Sequence, residues 1–186
     1  MNKWDTETAE WYAEKYGEYA TNKLGLESLK LEVDFSVVDI GCGTGCALRH
    51  ASETITKGTL IGIDPVPRMV EIAREKTCGH LAEDRITYYE GSAEKLPIND
   101  AFADVVLAFD SYDHWQDQAK GLKEVRRVLK PTGLFVVVKD GGLPNLAGAK
   151  KEFLSGLLSA GFKVVQEHDV NEGDVSFSQW ICITEN

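Results

Sequence analysis

The stretch VVDIGCGTG, residues 37–45, decides how the rest of the chain is read. Val37, Val38 and Ile40 are the apolar residues of a buried strand, and Gly41, Gly43 and Gly45 then open a sharp turn. Missing side chains let the backbone come close to a ligand. Turns of this kind usually approach a phosphate, yet Asp39 places a carboxylate beside the turn, and a carboxylate repels a phosphate. The dinucleotide fingerprint G-x-G-x-x-G would also need glycine at position 46, where Cys46 stands. Asp39 points instead to a ligand that carries a cation, such as an ammonium or a sulfonium.

Outward from this turn, apolar runs alternate with helical periods. Strands are expected at 35–40, 58–64, 85–91, 103–109 and 133–139, and helices at 45–56, 67–77 and 116–130. In the second helix Val66, Met69, Val70 and Ala73 form a stripe while Arg68, Glu71, Arg74 and Glu75 face water. Strand followed by helix with short connections implies right-handed crossovers and a parallel sheet covered on both faces. After residue 140, GGLPN breaks the chain, LAGAKKEFLSGLLSAG (146–161) reads as another helix, and 162–168 and 175–184 read as strands. The six residues between those strands, DVNEGD, are too few for a crossover helix, so the pair is expected to be an antiparallel hairpin.

The first 34 residues are expected to form a helical segment, with Asp5 as the N-cap of a helix reaching Asn22. Tyr12, Tyr16 and Tyr19 share one face of it. They either pack an accessory helix on the core or form a lid whose aromatics close over a ligand. The division expected is therefore a lid segment, 1–34, and a ligand-binding domain, 35–186.

Composition bounds the function. A length of 186 residues, 43% of them hydrophobic, suits one well-buried core. A formal charge of −10 argues against a nucleic-acid interface, which draws its affinity from basic surface. No apolar run is long enough to span a bilayer, so no membrane insertion is expected. The polar start MNKWDTETAE lacks the pattern of a signal peptide, which makes the expected location cytoplasmic. Cys42, Cys46, Cys78 and Cys182 follow no disulfide or zinc spacing and are expected to be reduced thiols.

Asp64 ends the second strand, 19 residues beyond Gly45, where a carboxylate can accept hydrogen bonds from both hydroxyls of a ribose. This feature points to a nucleoside and is shared with nicotinamide-binding proteins; Asp39 favours one that carries a cationic group. At this point VVDIGCGTG, GIDPVPRMVEIAREK, EGSAEKLPI and LKEVRRVLKPTGLFVVV, in this order, resemble the class I S-adenosylmethionine-dependent methyltransferases, and among them the small-molecule branch that includes the ubiquinone and menaquinone biosynthesis enzymes. The resemblance covers roughly residues 35–183. It implies an α/β fold, a Rossmann-like three-layer αβα sandwich with a mostly parallel seven-stranded sheet and an antiparallel C-terminal hairpin. It also implies S-adenosylmethionine as cofactor, with Asp39, Gly41, Cys42, Gly43 and Gly45 around its methionine part and Asp64 on the ribose. Pro65 and Met69 would line the adenine, and Ser92, Ala93 and Glu94 would lie near its amino group. Ser92 stands where the family usually has Asp, which leaves a weaker acceptor for that contact.

The acceptor side is expected at the end of the fourth strand, FDSYDHWQD. Phe109 and Asp110 reach toward the cofactor, His114 is the candidate general base, and Tyr112 is a candidate holder of an acceptor hydroxyl. Asp113 and Asp140 match the strand ends that hold magnesium in catechol-type enzymes, but Gly141 replaces a ligand there, so no metal is expected. With no sizeable insertion after the fourth or fifth strand, a small-molecule acceptor is expected, in a monomer or homodimer. The alternatives are a non-catalytic S-adenosylmethionine-binding protein and a nicotinamide-dependent oxidoreductase.

Overall fold

The computed structural model describes residues 4–141 and 148–185. Seven strands form one sheet in the order β3-β2-β1-β4-β5-β7-β6. They are β1 (Val37–Ile40), β2 (Leu60–Asp64), β3 (Ile86–Glu90), β4 (Ala103–Phe109), β5 (Leu129–Asp140), β6 (Phe162–Glu172) and β7 (Val175–Thr184). The first five are parallel, and β7 runs antiparallel between β5 and β6. This is the expected Rossmann-like architecture.

Six α-helices accompany the sheet: α1 (Thr6–Tyr16), α2 (Thr21–Glu27), α3 (Cys46–Ala51), α4 (Pro67–Thr77), α5 (Gln118–Val128) and α6 (Ala149–Ser159). Alternation along each buried strand divides the core into two layers. Val38, Ile40, Ile63 and Phe135 meet Leu122 and Val125 of α5 and Phe153 and Leu157 of α6. Val37, Leu60, Leu107 and Val136 meet Leu48 of α3, Val70 and Ala73 of α4 and Leu26 of α2 on the opposite face.

The N-terminal segment differs from the single helix expected over 5–22. Asp5 does cap α1, accepting from the Thr8 N–H at 2.8 Å, but the helix stops at Tyr16 and a second one starts at Thr21. Gly17 stands at the break: a Cβ there would overlap the Ala13 carbonyl oxygen and lie 2.6 Å from the Thr44 methyl group, and the Gly17 carbonyl accepts the buried Thr44 hydroxyl. Other boundaries move as well: α3 is shorter than 45–56, β5 begins at Leu129 rather than 133, and β1, β2, β3 and α5 are each shorter than expected by one or two residues at one or both ends. The hairpin is tighter than the six-residue connection expected, because β6 runs to Glu172 and only Gly173, with φ +59°, and Asp174 remain as the turn. The helix expected from Leu146 is described from Ala149; Leu146 and Ala147, like most of GGLPN, lie outside the described residues.

β1 sits between β2 and β4, where the chain's order across the sheet reverses, and such a switch point opens a crevice at the carboxyl ends of the strands. That crevice depends on a tight sheet centre. Leu107, fully buried in β4, illustrates how tight: Leu107→Ala is expected to cost about 3 kcal/mol, within the roughly 2–5 kcal/mol of such truncations. Equilibrium denaturation would read it as a lower midpoint at unchanged slope.

Candidate active site

The glycine turn has three left-handed residues, Gly41, Gly43 and Gly45, with φ of +73°, +51° and +76°. Two of them are held by neighbours. A side chain at Gly41 would overlap Ser111, and one at Gly45 would overlap the Tyr88 ring, whose hydroxyl lies 2.8 Å from Thr77 Oγ1. Gly43 is different, since a Cβ there would meet open space. The turn is anchored by the Ile63 carbonyl, which accepts from the N–H groups of Gly41 and Cys42 at 2.7 and 3.1 Å.

Two carboxylates lie buried under this turn. Asp64 accepts from the Gly43 N–H at 3.0 Å and the Val66 N–H at 2.9 Å. Asp39 is only 2% exposed, and its Oδ1 has no hydrogen-bond partner. Burial pushes Asp39 up to about 7, helped by the charge of Asp64; burial also raises Asp64, against its two backbone donors. An orphaned carboxylate oxygen at this depth fits a ligand with an ammonium or sulfonium group and opposes one with a phosphate.

The N-terminal helices roof the crevice. Arg49 donates to the Thr44 carbonyl and to Glu18, both at 2.6 Å, and Lys76 lies 3.3 Å from the same Glu18 oxygen. Burial would raise Glu18, but Arg49, the Cys46 thiol and Lys76 together outweigh it and hold the carboxyl below its ordinary value. Met69 and Ile72 of α4 pack against Ala9 and Ala13 of α1. The link between the turn and its roof is therefore both polar and apolar.

Between roof and turn lies a cavity of about 350 Å³. Tyr12, Tyr16 and Tyr19 form one wall, and Gly41, Cys42 and Gly43 the floor. Phe109, Asp110 and His114 reach in from the end of β4, and Lys139 and Asp140 from the end of β5. Asp110 takes a left-handed backbone, φ +51°, and its carboxylate accepts from the Asp140 N–H. Such a conformation in a non-glycine residue is sparsely populated and clusters at functional sites.

The expected site residues divide accordingly. Gly41, Cys42, Gly43, Phe109, Asp110 and His114 meet at the cavity. Asp39, Asp64 and Gly45 are buried around the turn, Pro65 is exposed beside Asp64, and Ser92 is half-buried. Met69 sits under α1, and Ala93 belongs to the core on the α5 side. Glu94 accepts from the Asp117 N–H at 3.0 Å, which ties its loop to the start of α5. Tyr112 is placed away from the cavity: it is buried with its ring 4.9 Å from Trp115 and 5.2 Å from Phe153, a packing position. Asp113 pairs with Lys139 at 2.9 Å instead of joining Asp140. All four cysteines are free, and burial keeps Cys42 and Cys46 as protonated thiols. Thr44, Asn22 and Lys139 join the site without having been singled out; only Thr44 carried a signal, its place inside the glycine motif.

A sequence profile described as a methyltransferase domain matches residues 38–137. A ubiquinone/menaquinone biosynthesis C-methyltransferase from a Geobacter species is 32% identical over 126 residues, 67% of this chain and 52% of that protein. A demethylmenaquinone methyltransferase from Chlorobaculum tepidum is 32% identical over 141 residues, 76% of this chain and 55% of that one. The chain thus spans about half the length of these relatives. The crystal structure of a SAM-dependent methyltransferase from Aquifex aeolicus aligns with a TM-score of 0.79 at 22% identity, over 98% of this chain and 100% of the other, a likeness of fold.

The raised Asp39 has a consequence for ligand-free stability. Between about pH 5 and 7 the folded chain keeps a proton that unfolded Asp, with its pKa of about 3.9, has lost. Stability is expected to fall as pH rises through that window, and Asp39→Asn to flatten the fall. Thermal midpoints of both proteins across the window check this; equal slopes would place the Asp39 proton elsewhere.

Proposed function

The chain belongs to the methyltransferase-domain family of class I S-adenosylmethionine-dependent enzymes, and on that premise we propose that it moves a methyl group from S-adenosylmethionine to a small-molecule acceptor held under the tyrosine wall. The observation that carries this reading is the buried pair Asp39 and Asp64 on either side of open Gly43. It suits a cationic nucleoside and disfavours a pyrophosphate, which weighs against the nicotinamide alternative.

In this reading Asp39 and the backbone of residues 41–45 hold the methionine part, and Asp64 exchanges its backbone donors for ribose hydroxyls. Pro65 and the 91–94 segment flank the adenine, while Met69 supports the site from beneath α1. The cofactor supplies an activated methyl group whose transfer is an in-line displacement. What the protein adds is position: the roof excludes water, and Phe109 and Asp110 define where the acceptor can stand. His114, exposed at the cavity rim, takes the acceptor's proton where the acceptor has one to lose. No described helix is long and apolar enough to cross a membrane.

Calorimetric titration with S-adenosylmethionine, S-adenosylhomocysteine and NADH tests the reading. Saturable binding of the first two alone is expected, and binding of NADH alone would overturn it. Asp64→Ala is expected to weaken binding of both by about 1–3 kcal/mol through lost hydrogen bonds; unchanged affinity would remove Asp64 from the ribose. His114→Ala is expected to lower turnover at nearly constant cofactor affinity, and full turnover would leave it a structural residue.

A further inference from the structure

The cavity wall carries an unbalanced charge. Asp110 and Asp140 both line it, and among the described residues neither has a salt-bridge partner. Lys139 is the one lysine or arginine among the lining residues, and its ammonium is already paired with Asp113. Facing these carboxylates are the rings of Tyr12, Tyr16 and Tyr19, packed edge to face or tilted at centroid distances of 5.2 and 6.4 Å. The faces of such rings attract cations. One ammonium already uses this array: Lys15 Nζ lies 5.1 Å from the ring centroids of both Tyr16 and Trp11.

We propose that the acceptor is a small amine, bound as its ammonium between the tyrosine wall and the carboxylates of Asp110 and Asp140, and that the protein is an N-methyltransferase. The proposal rests on the methyl-transfer reading above and names the substrate class of that site. With an uncharged acceptor the only cation beside these carboxylates among the lining residues is Lys139, which Asp113 shares, whereas an ammonium supplies a further one. An acceptor that must become an anion fares worse. The wall's own phenols register the field an acceptor phenol would meet. Burial raises Tyr12, with Asp110 and Asp140 adding to it, and Asp140 raises Tyr19, with burial and Asp110 adding to it. A phenolate or enolate nucleophile in this cavity would be opposed in the same way.

The step balances with groups on hand. The ammonium gives one proton to His114 and becomes a neutral amine. Its nitrogen lone pair forms the N–C bond as the S–C bond of the sulfonium breaks, leaving S-adenosylhomocysteine and a methylated ammonium. His114 then returns its proton to solvent.

The same carboxylates would also attract the sulfonium of the cofactor, so the test uses S-adenosylhomocysteine, which has none. Calorimetry on the protein saturated with S-adenosylhomocysteine compares phenethylamine with its uncharged isostere 2-phenylethanol and with p-cresol. The amine is expected to bind at least about tenfold tighter than the alcohol. Asp140→Asn, which changes an exposed side chain, is expected to remove most of that preference while leaving S-adenosylhomocysteine affinity unchanged, and Asp110→Asn provides the second variant. Equal or tighter binding of the alcohol or the phenol would overturn the proposal. So would an Asp140→Asn protein that keeps the amine preference and loses affinity for S-adenosylmethionine relative to S-adenosylhomocysteine, since the carboxylates would then serve the sulfonium. Failure of S-adenosylhomocysteine to bind at all would instead count against the methyl-transfer reading.

Discussion

Two buried carboxylates at the carboxyl ends of neighbouring parallel strands, one of them with an unpartnered oxygen, are the constraint on which the rest of the site depends. Burying Asp39 with an unpaired oxygen costs stability, and it does so beside a second acid that raises the cost. The glycine turn makes the arrangement possible, because its left-handed backbone brings the Gly43 N–H to Asp64 and the Gly41 and Cys42 N–H groups to the Ile63 carbonyl. A protein that only needed a stable core would place apolar residues here. The cost makes sense if a cationic ligand completes the site, so that binding relieves what folding left unsatisfied.

The second dependence runs outward from the turn to the roof. Thr44 and Arg49, one within the glycine motif and one on the helix after it, hold Gly17 and Glu18 at the corner between α1 and α2. The tyrosine wall is carried by α1 and by that corner. The geometry of the cavity is therefore tied to contacts between the glycine turn, α3 and this corner.

The sequence made legible what repeats and what is buried on both sides. β4 has the expected bounds, 103–109, because its near-continuous apolar run leaves no other register, and α4 does so because its stripe is bounded by Pro67; β7 also has its expected bounds, 175–184. The contact of Gly17 with Thr44, 27 residues away, was not legible. Nor was the place of Asp140. In the sequence it stands only as half of a metal pair, and its position beside Asp110 comes from the β4–β5 register that sets Phe109 against Val138. Tyr112 shows the converse: its position after β4 suggested the acceptor side, but a 3₁₀ turn over Tyr112–His114 buries it and leaves His114 at the rim. A strand end fixes the neighbourhood of a side chain, and the turn after it fixes the direction.

The most direct test of the central claim is a crystal structure of the protein with S-adenosylhomocysteine. The account predicts the ribose hydroxyls on Asp64, the amino-acid ammonium on the Asp39 side of the glycine turn, and the sulfur facing the cavity under Tyr12, Tyr16 and Tyr19. A nucleoside bound elsewhere, with Asp39 still unpaired and Asp64 still held by the N–H groups of Gly43 and Val66, would contradict it.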